Sequence, residues 1–326
     1  MKLALIQQAF KGTKEATNAY TTKLIAQAAK KKADLVCLNE LHQAPYFCQS
    51  EDVLNFDLAK DYEKDLEFWS KEAKKNNIIL LTSLFEKRAC GLYHNTAVVF
   101  EKDGSIAGRY RKMHIPEDPN FYEKFYFTQG DLGFEPINTS VGRLGVLVCW
   151  DQWFPEAARI MALKGAQILI YPTAIGWFDS DSEEEKQRQL EAWIAVQRGH
   201  AVANGLSVVA INRAGFEGAY LSKPSLESKL LDSKALKAKN HALKEDNKLN
   251  SKRFAKGASV DGIRFWGNSF VFGPQGEELF RANSVDEGVF FVEIDLDRNE
   301  EVRRWWQFFR DRRIDFYKPL LKRFDD

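Results

Sequence analysis

The sequence predicts an α/β protein in which two β-sheets pack face to face and helices cover their outer surfaces. Short apolar runs with strand character alternate with amphipathic stretches of helical spacing. This alternation occurs twice, so the chain divides into two similar halves. Apolar strands joined by helices are typical of sheets buried beneath helical layers. The 326 residues, 44% hydrophobic and 29% charged, are enough to bury a sizeable core.

The first half begins with strands and helices in alternation and continues into a hairpin. Lys102-Asp-Gly104 lies between two strand-like runs and is a turn signal. The predicted strands are 2–8, 33–39, 78–84, 95–100 and 106–112, and the predicted helices are 17–32 and 62–76.

The second half repeats this order and adds a further hairpin around Pro274-Gln-Gly276. The predicted strands are 144–149, 167–171, 207–211, 269–273, 278–282 and 289–295, and the predicted helices are 155–164 and 184–204.

One stretch, residues 222–256, departs from this pattern by its charge. It holds nine lysines and one arginine against four acidic residues, a net +6, whereas the whole chain is only +1. We expect a solvated basic insertion, with a specific docking arm as the alternative. The near-zero total charge gives no reason to expect nucleic acid or a membrane as partner.

The cysteines and histidines do not form a metal-binding or disulfide pattern. Cys37, Cys48, Cys90 and Cys149 are scattered without C-x-x-C spacing, and the five histidines show no H-x-x-x-H spacing. The apolar run at the start is too short for a signal peptide, and no run is long enough to span a bilayer. We therefore expect a cytoplasmic protein without a metal.

Cys149 ends an apolar run and is followed at once by Trp150-Asp-Gln-Trp-Phe-Pro-Glu156. This pattern predicts a buried strand that delivers a thiol to the turn before a helix. A helix N-terminus there would favour a thiolate and any oxyanion formed beside it. Taken alone, a cysteine in such a run is more often a small core residue.

Two other predicted strands also end in side chains that suit catalysis. Glu40 ends the run Asp34-Leu-Val-Cys-Leu-Asn-Glu40, and Lys112 ends the second strand of the first hairpin. A thiol needs a base to become a nucleophile, and an oxyanion needs a nearby positive charge. Each residue by itself could be an ordinary solvated side chain.

The motifs around these residues resemble the nitrilase superfamily of carbon-nitrogen hydrolases. The matching segments are 39–49, 110–116, 122–127, 149–159, 171–176, 267–270 and 309–313. The resemblance implies a four-layer αββα sandwich and a Glu-Lys-Cys triad at Glu40, Lys112 and Cys149. It also implies that Glu123 positions the lysine and the substrate, and that no metal or organic cofactor takes part.

The same resemblance implies how the chain is organised. We expect one carbon-nitrogen hydrolase domain over residues 1–326, with the basic insertion at about 222–256 and a C-terminal extension at about 297–326. The insertion is expected near the active-site mouth or a subunit contact. Relatives pair into dimers through the face that carries the nucleophile region, so a homo-oligomer built from dimers is expected.

The residues after the nucleophile bear on the substrate. Trp150, Asp151 and Trp153 provide acidic and aromatic groups but no arginine that could clamp a carboxylate. Such a lining suits a primary ammonium, which favours N-carbamoylputrescine, a carbamoyl-amine, hydrolysed to putrescine, ammonia and carbon dioxide in polyamine biosynthesis. Packing roles for both tryptophans and a helix cap for Asp151 are the alternatives.

Two rival functions share these motifs. An amidase, a nitrilase or an N-carbamoyl amino acid amidohydrolase would use the same triad, so only the pocket separates them. The second rival function is not enzymatic: the chain would be a catalytically silent scaffold subunit. The presence of all three triad positions counts against this alternative.

Overall fold

The computed structural model describes residues 1–218 and 262–325, so the predicted insertion at 222–256 lies outside the described residues. The described strands are β1 (Lys2–Gln7), β2 (Leu35–Leu38), β3 (Ile79–Ala89), β4 (Leu92–Phe100), β5 (Ile106–Arg111), β6 (Ile137–Thr139), β7 (Gly142–Val146), β8 (Ile168–Thr173), β9 (Gly176–Trp177), β10 (Ser207–Asn212), β11 (Phe216–Glu217), β12 (Ile263–Phe265), β13 (Phe270–Phe272), β14 (Glu278–Arg281) and β15 (Gly288–Glu293). The described helices are α1 (Lys14–Lys30), α2 (Tyr62–Asn76), α3 (Glu123–Tyr126), α4 (Pro155–Leu163), α5 (Glu183–Asn204) and α6 (Arg298–Trp305).

The first sheet has the strand order β15-β1-β2-β3-β4-β5. Strands β1, β2 and β3 are parallel, whereas β4 and β5 continue as antiparallel neighbours. Strand β5 therefore runs in the same direction as β2, and both end at the same edge. Strand β15 returns from the end of the chain to pair antiparallel with β1, a crossover that local sequence patterns do not predict.

The second sheet has the strand order β14-β13-β10-β8-β7-β6. Its centre is parallel, because β8 pairs in parallel with both β7 and β10. Antiparallel pairs close both edges, and the hairpin of β13 and β14 is the one that Pro274-Gln-Gly276 predicts. The nucleophile candidate Cys149 follows β7 in this sheet.

The alternation of side chains along β1 shows how the layers are stacked. Leu3 and Leu5 belong to the core shared with β8 and β10 of the second sheet, whereas Ala4 and Ile6 pack with α1 and α2. Helices α4 and α5 contribute buried side chains to the second sheet's core. The result is the four-layer αββα sandwich that the sequence predicts.

Several local features differ from the prediction, among them the unpredicted strand β6 and helices α3 and α6. The strand expected at 144–149 ends at Val146, because Cys149–Trp153 forms a short 3₁₀ turn before α4. A small unpredicted sheet has the order β11-β12-β9, in which β11 precedes the undescribed segment in the chain and β12 follows it. In the part of the chain that the structure describes, no helix combines the length and apolar character required to cross a bilayer.

Candidate active site

The ends of three strands bring Glu40, Lys112 and Cys149 together where the two sheets face each other. Glu40 follows β2, Lys112 follows β5 and Cys149 follows β7. A fourth side chain, Glu123, joins them from the first position of α3. All four residues are buried, with exposed fractions of 4% or less. Buried ionisable groups are costly unless they compensate one another.

Lys112 compensates both carboxylates. Its Nζ lies 2.8 Å from Glu40 Oε1 and 2.6 Å from Glu123 Oε2. Burial lowers the pKa of the lysine, but Glu123 and Glu40 outweigh this effect and hold the pKa well above its usual value. Lys112 is therefore a permanent cation at the centre of the site.

Backbone contacts fix the position of Lys112. Its N–H donates to the Asn95 carbonyl over 2.9 Å, and its carbonyl accepts from the Gly130 N–H over 2.8 Å. A Cβ at Gly130 would lie 2.0 Å from the Arg111 carbonyl oxygen. The close approach of these two segments therefore requires glycine at position 130.

Glu123 has a partner on each carboxylate oxygen. Tyr46 donates its hydroxyl proton to Oε1 over 2.8 Å, and Lys112 occupies Oε2. Burial raises the pKa of Glu123 to about 7; Lys112 opposes this rise, and Glu40 adds to it. Near neutrality the Glu123 carboxyl group is therefore partly protonated.

Glu40 bridges the two sheets. Its backbone N–H points to the Thr173 carbonyl at the end of β8, with a separation of 3.4 Å. Its Oε1 accepts from Asn95 Nδ2 over 2.7 Å as well as from Lys112. The carboxylate therefore sits at a fixed place between the strand ends.

Cys149 has a backbone φ of +43°, in the left-handed region that non-glycine residues rarely adopt. Burial and the Glu40 carboxylate raise the pKa of its thiol well above the usual value, with Lys112 only partly opposing them. This differs from the sequence-based expectation that a helix N-terminus would favour the thiolate. The resting form is the thiol, so attack on a substrate requires a base in the same step.

A cavity of about 390 Å³ opens onto Cys149 and Glu123. Most of its wall is apolar and aromatic, with Trp266 among the lining residues. Asp118 is an exposed carboxylate in the same wall, and the described lining residues include neither lysine nor arginine. The volume suits a small organic molecule.

The three residues predicted to bind substrate do not share one location. Trp150 and Trp153 both line the cavity and contact each other edge to face. Asp151 is fully buried and is not among the lining residues. Its oxygens accept from the Tyr110 hydroxyl and the Val148 N–H and contact the His114 ring. We therefore give Asp151 a structural role in holding the turn that contains Cys149.

Sequence reasoning did not identify Asn95, Tyr46, Asp118 or Gly130 as parts of the site. Asn95 lies in a segment predicted only as a strand, and Tyr46 lies in a segment noted only as part of a family motif. Their partners, Glu40 and Glu123, are 55 and 77 positions away in the chain. Asn95 lies in the polar run His94-Asn-Thr96 of β4, so no local signal sets it apart from its neighbours.

The chain belongs to the carbon-nitrogen hydrolase family, because a sequence model of that family matches residues 2–304. It is thus a hydrolase that acts on carbon–nitrogen bonds, and the resemblance seen in the sequence motifs is confirmed.

Within this family, the chain is similar to several proteins of known name or structure. The chain is 39% identical to an N-carbamoylputrescine amidase of Oryza sativa, over 92% of this chain and 87% of the relative. It is 32% identical to a citrullinase of Francisella tularensis, over 99% of both chains. The crystal structure of a carbon-nitrogen hydrolase from Helicobacter pylori G27 is 54% identical and superposes with a TM-score of 0.85, covering 100% of this chain and 99% of that one.

Proposed function

We propose that this enzyme hydrolyses a monosubstituted urea, with N-carbamoylputrescine as its preferred substrate. The observation that carries the proposal is the buried cluster of Cys149, Glu40 and Lys112 beside a cavity whose described wall combines aromatic rings with Asp118. The thiol, the base and the cation provide what acyl transfer from a carbamoyl group requires.

The names of two relatives support the choice of substrate class. N-carbamoylputrescine and citrulline both carry the group H₂N–CO–NH–CH₂, so one reactive centre would serve either. They differ at the far end of the molecule. N-carbamoylputrescine ends in an ammonium group alone, whereas citrulline carries both an ammonium group and a carboxylate on its last carbon. The carboxylate of Asp118 and the aromatic wall suit a terminal ammonium, and the described lining offers a carboxylate no cation.

The proposed reaction begins with the thiol of Cys149. Its proton passes to Glu40 as sulfur attacks the carbamoyl carbon, and Lys112 and the Trp150 N–H stabilise the oxyanion. The carbon–nitrogen bond to the substituted amine breaks, and Glu40 returns the proton to that nitrogen. Water, deprotonated by Glu40, then attacks the carbamoyl thioester and releases carbamic acid, and Glu40 returns the proton to the Cys149 sulfur. Carbamic acid decomposes to ammonia and carbon dioxide.

We further propose that two copies of the chain pair, and that such dimers build a larger homo-oligomer. Phe309 anchors the end of the chain, with its ring beneath Arg159 of α4 and Arg303 of α6. The residues around it expose large apolar side chains, which are Trp305, Phe308, Ile314, Phe316, Leu320, Leu321 and Phe324. A patch of this kind supports an interface beside the helix that follows Cys149.

The compartment and pathway are also part of the proposal. Free cysteines, with Cys37, Cys48 and Cys149 buried and Cys90 exposed, suit the reducing cytoplasm. Putrescine as product would place the reaction in polyamine biosynthesis.

The decisive experiment is ammonia release by the purified protein with N-carbamoylputrescine, citrulline, N-carbamoyl-β-alanine and a simple aliphatic amide. We expect kcat/KM to be highest for N-carbamoylputrescine, and Cys149→Ala to abolish turnover while retaining the fold. A preference for another substrate would keep the chemistry and overturn the substrate. Absence of turnover on all four would support the scaffold alternative.

A further inference from the structure

The two carboxylates around Lys112 differ in the partners of their oxygens. Both oxygens of Glu123 are occupied, one by Tyr46 and one by Lys112. Glu40 instead accepts two donors on Oε1, from Lys112 Nζ at 2.8 Å and from Asn95 Nδ2 at 2.7 Å. Its Oε2 is buried and has no hydrogen-bond partner among the described residues.

A buried carboxylate oxygen without a hydrogen-bond partner lowers the stability of the folded state, so such an atom in a native site points to a functional role. Glu40 is fully buried, so bulk solvent does not reach that oxygen. The side chain could remove the defect by rotating about its last bond and giving each donor its own oxygen. The fixed position of Asn95 holds both donors on the same side of the carboxylate.

Besides its bond to Glu40, Asn95 makes two further hydrogen bonds that fix its position. Its Oδ1 accepts from the Ser83 hydroxyl over 3.3 Å, and its backbone carbonyl accepts from the Lys112 N–H over 2.9 Å. The Ser83 hydroxyl also accepts from the N–H of Leu41, the residue after Glu40, over 3.1 Å. Asn95 thus links the backbone beside the proposed base to the backbone of the proposed oxyanion-binding lysine.

We propose that Asn95 is a positioning residue that holds Glu40 so that Oε2 alone exchanges the proton with Cys149. This rests on the proposed function, in which Glu40 is the general base. Lys112 and Asn95 together reserve Oε1, and Oε2 remains free for the thiol. Ser83 supports the arrangement by orienting the Asn95 amide.

The test compares Asn95→Leu, which keeps the size and removes the donor, with Ser83→Ala and the control Thr82→Val. The Thr82 hydroxyl is buried on the same strand as Ser83 and donates to the Val98 carbonyl, so its removal perturbs the sheet without touching Glu40. For each folded variant, kcat and KM are measured from pH 5 to 9 on whichever substrate the native enzyme turns over.

We expect Asn95→Leu to lower kcat at least thirtyfold with KM within about twofold, because base alignment affects the chemical step. The acidic limb of its kcat/KM profile should move to higher pH, since the lost bond favoured the ionised carboxylate. Ser83→Ala should shift in the same direction by a smaller amount, and Thr82→Val should match the native enzyme. A folded Asn95→Leu enzyme with native kcat, or with a loss of kcat and an unmoved pH profile, would overturn the proposal.

A second readout separates this inference from the proposed function. The rate at which iodoacetamide alkylates Cys149, followed by peptide mass mapping, depends on thiol deprotonation and not on substrate turnover. We expect slower alkylation in Asn95→Leu than in the native protein or Thr82→Val at pH 7. Equal alkylation rates would overturn the role of Asn95, whereas a native protein without turnover would overturn only the proposed function. If Asn95→Leu does not fold, Ser83→Ala carries the same comparison.

Discussion

Tyr46 donates its hydroxyl proton to Glu123 Oε1 over 2.8 Å, although the two residues are 77 positions apart in the chain. The opposite oxygen of Glu123 accepts from Lys112 over 2.6 Å. With a donor on each oxygen, the Glu123 carboxylate is held in place against Lys112. Its carboxylate is better suited to orienting Lys112 than to acting as a base.

We predict that Tyr46→Phe lowers kcat/KM about tenfold while the fold is retained. The change removes one hydrogen bond to a carboxylate, which contributes about 1.5–3 kcal/mol, and leaves the aromatic ring in place. Steady-state kinetics with the preferred substrate measures the loss. Tyr20→Phe is the control, because Tyr20 lies on α1 beside Lys11 and remote from the cluster. Equal kinetics in the two variants would contradict the prediction.

A second prediction concerns the pH dependence of stability. Burial raises the pKa of Glu123 from its ordinary 4.5 to about 7 in the folded protein. Between these values the folded state holds a proton that the unfolded state has lost, so this contribution to stability is present at low pH and disappears as pH rises to about 7. The contribution amounts to at most about 3 kcal/mol.

The comparison that checks this is urea denaturation of the native protein and Glu123→Gln at pH 5 and pH 8. The native protein should lose more of its free energy of unfolding over this interval, because the amide in the variant does not titrate. Glu123→Gln also removes a negative charge beside Lys112, and this lowers the free energy of unfolding of the variant by the same amount at both pH values. Parallel changes in the two proteins would show that Glu123 has an ordinary pKa.

A third prediction concerns the backbone that holds Lys112. Gly130→Ala would place a Cβ 2.0 Å from the Arg111 carbonyl, forcing the end of β5 to move. We expect kcat to fall about a hundredfold, since a shift of about 1 Å in a catalytic group has that effect. Gly199→Ala, in α5 where a Cβ meets no atom within 4 Å, should leave kinetics unchanged and stabilise the helix by up to about 1 kcal/mol. Native kinetics in Gly130→Ala would refute the prediction.

A fourth prediction tests the acidic wall of the cavity. Asp118→Asn should raise KM for N-carbamoylputrescine about fivefold, as expected for an exposed ion pair of about 1 kcal/mol. KM for butylurea, which has the same reactive end without the ammonium, should stay constant. Glu67→Gln on the exposed face of α2, where Glu67 pairs with Lys71, controls for loss of one negative charge. An equal effect on both substrates would exclude an ammonium contact.

The strand and helix predictions succeeded where periodicity was strong. Helix α2 begins and ends as predicted at Tyr62 and Asn76, and both predicted hairpins formed. The short strands β9, β11 and β12 were missed because two or three residues carry no measurable period. The pairing of β15 with β1 was missed for a different reason, since that contact joins distant parts of the chain, with Lys2 opposite Glu293 and Gln7 opposite Gly288.

The sequence by itself determined the layered α/β fold, the family and the four residues of the candidate site, because strand periodicity and motif order are local properties of the chain. Only the tertiary structure decided which atoms of those residues face one another. It separated the two carboxylates by their partners, placed Asp151 outside the cavity and revealed Asn95, Tyr46 and Gly130 around Lys112. Burial also reversed the expected state of the Cys149 thiol. Desolvation and hydrogen bonding depend on groups brought together from distant segments, and no local pattern records them.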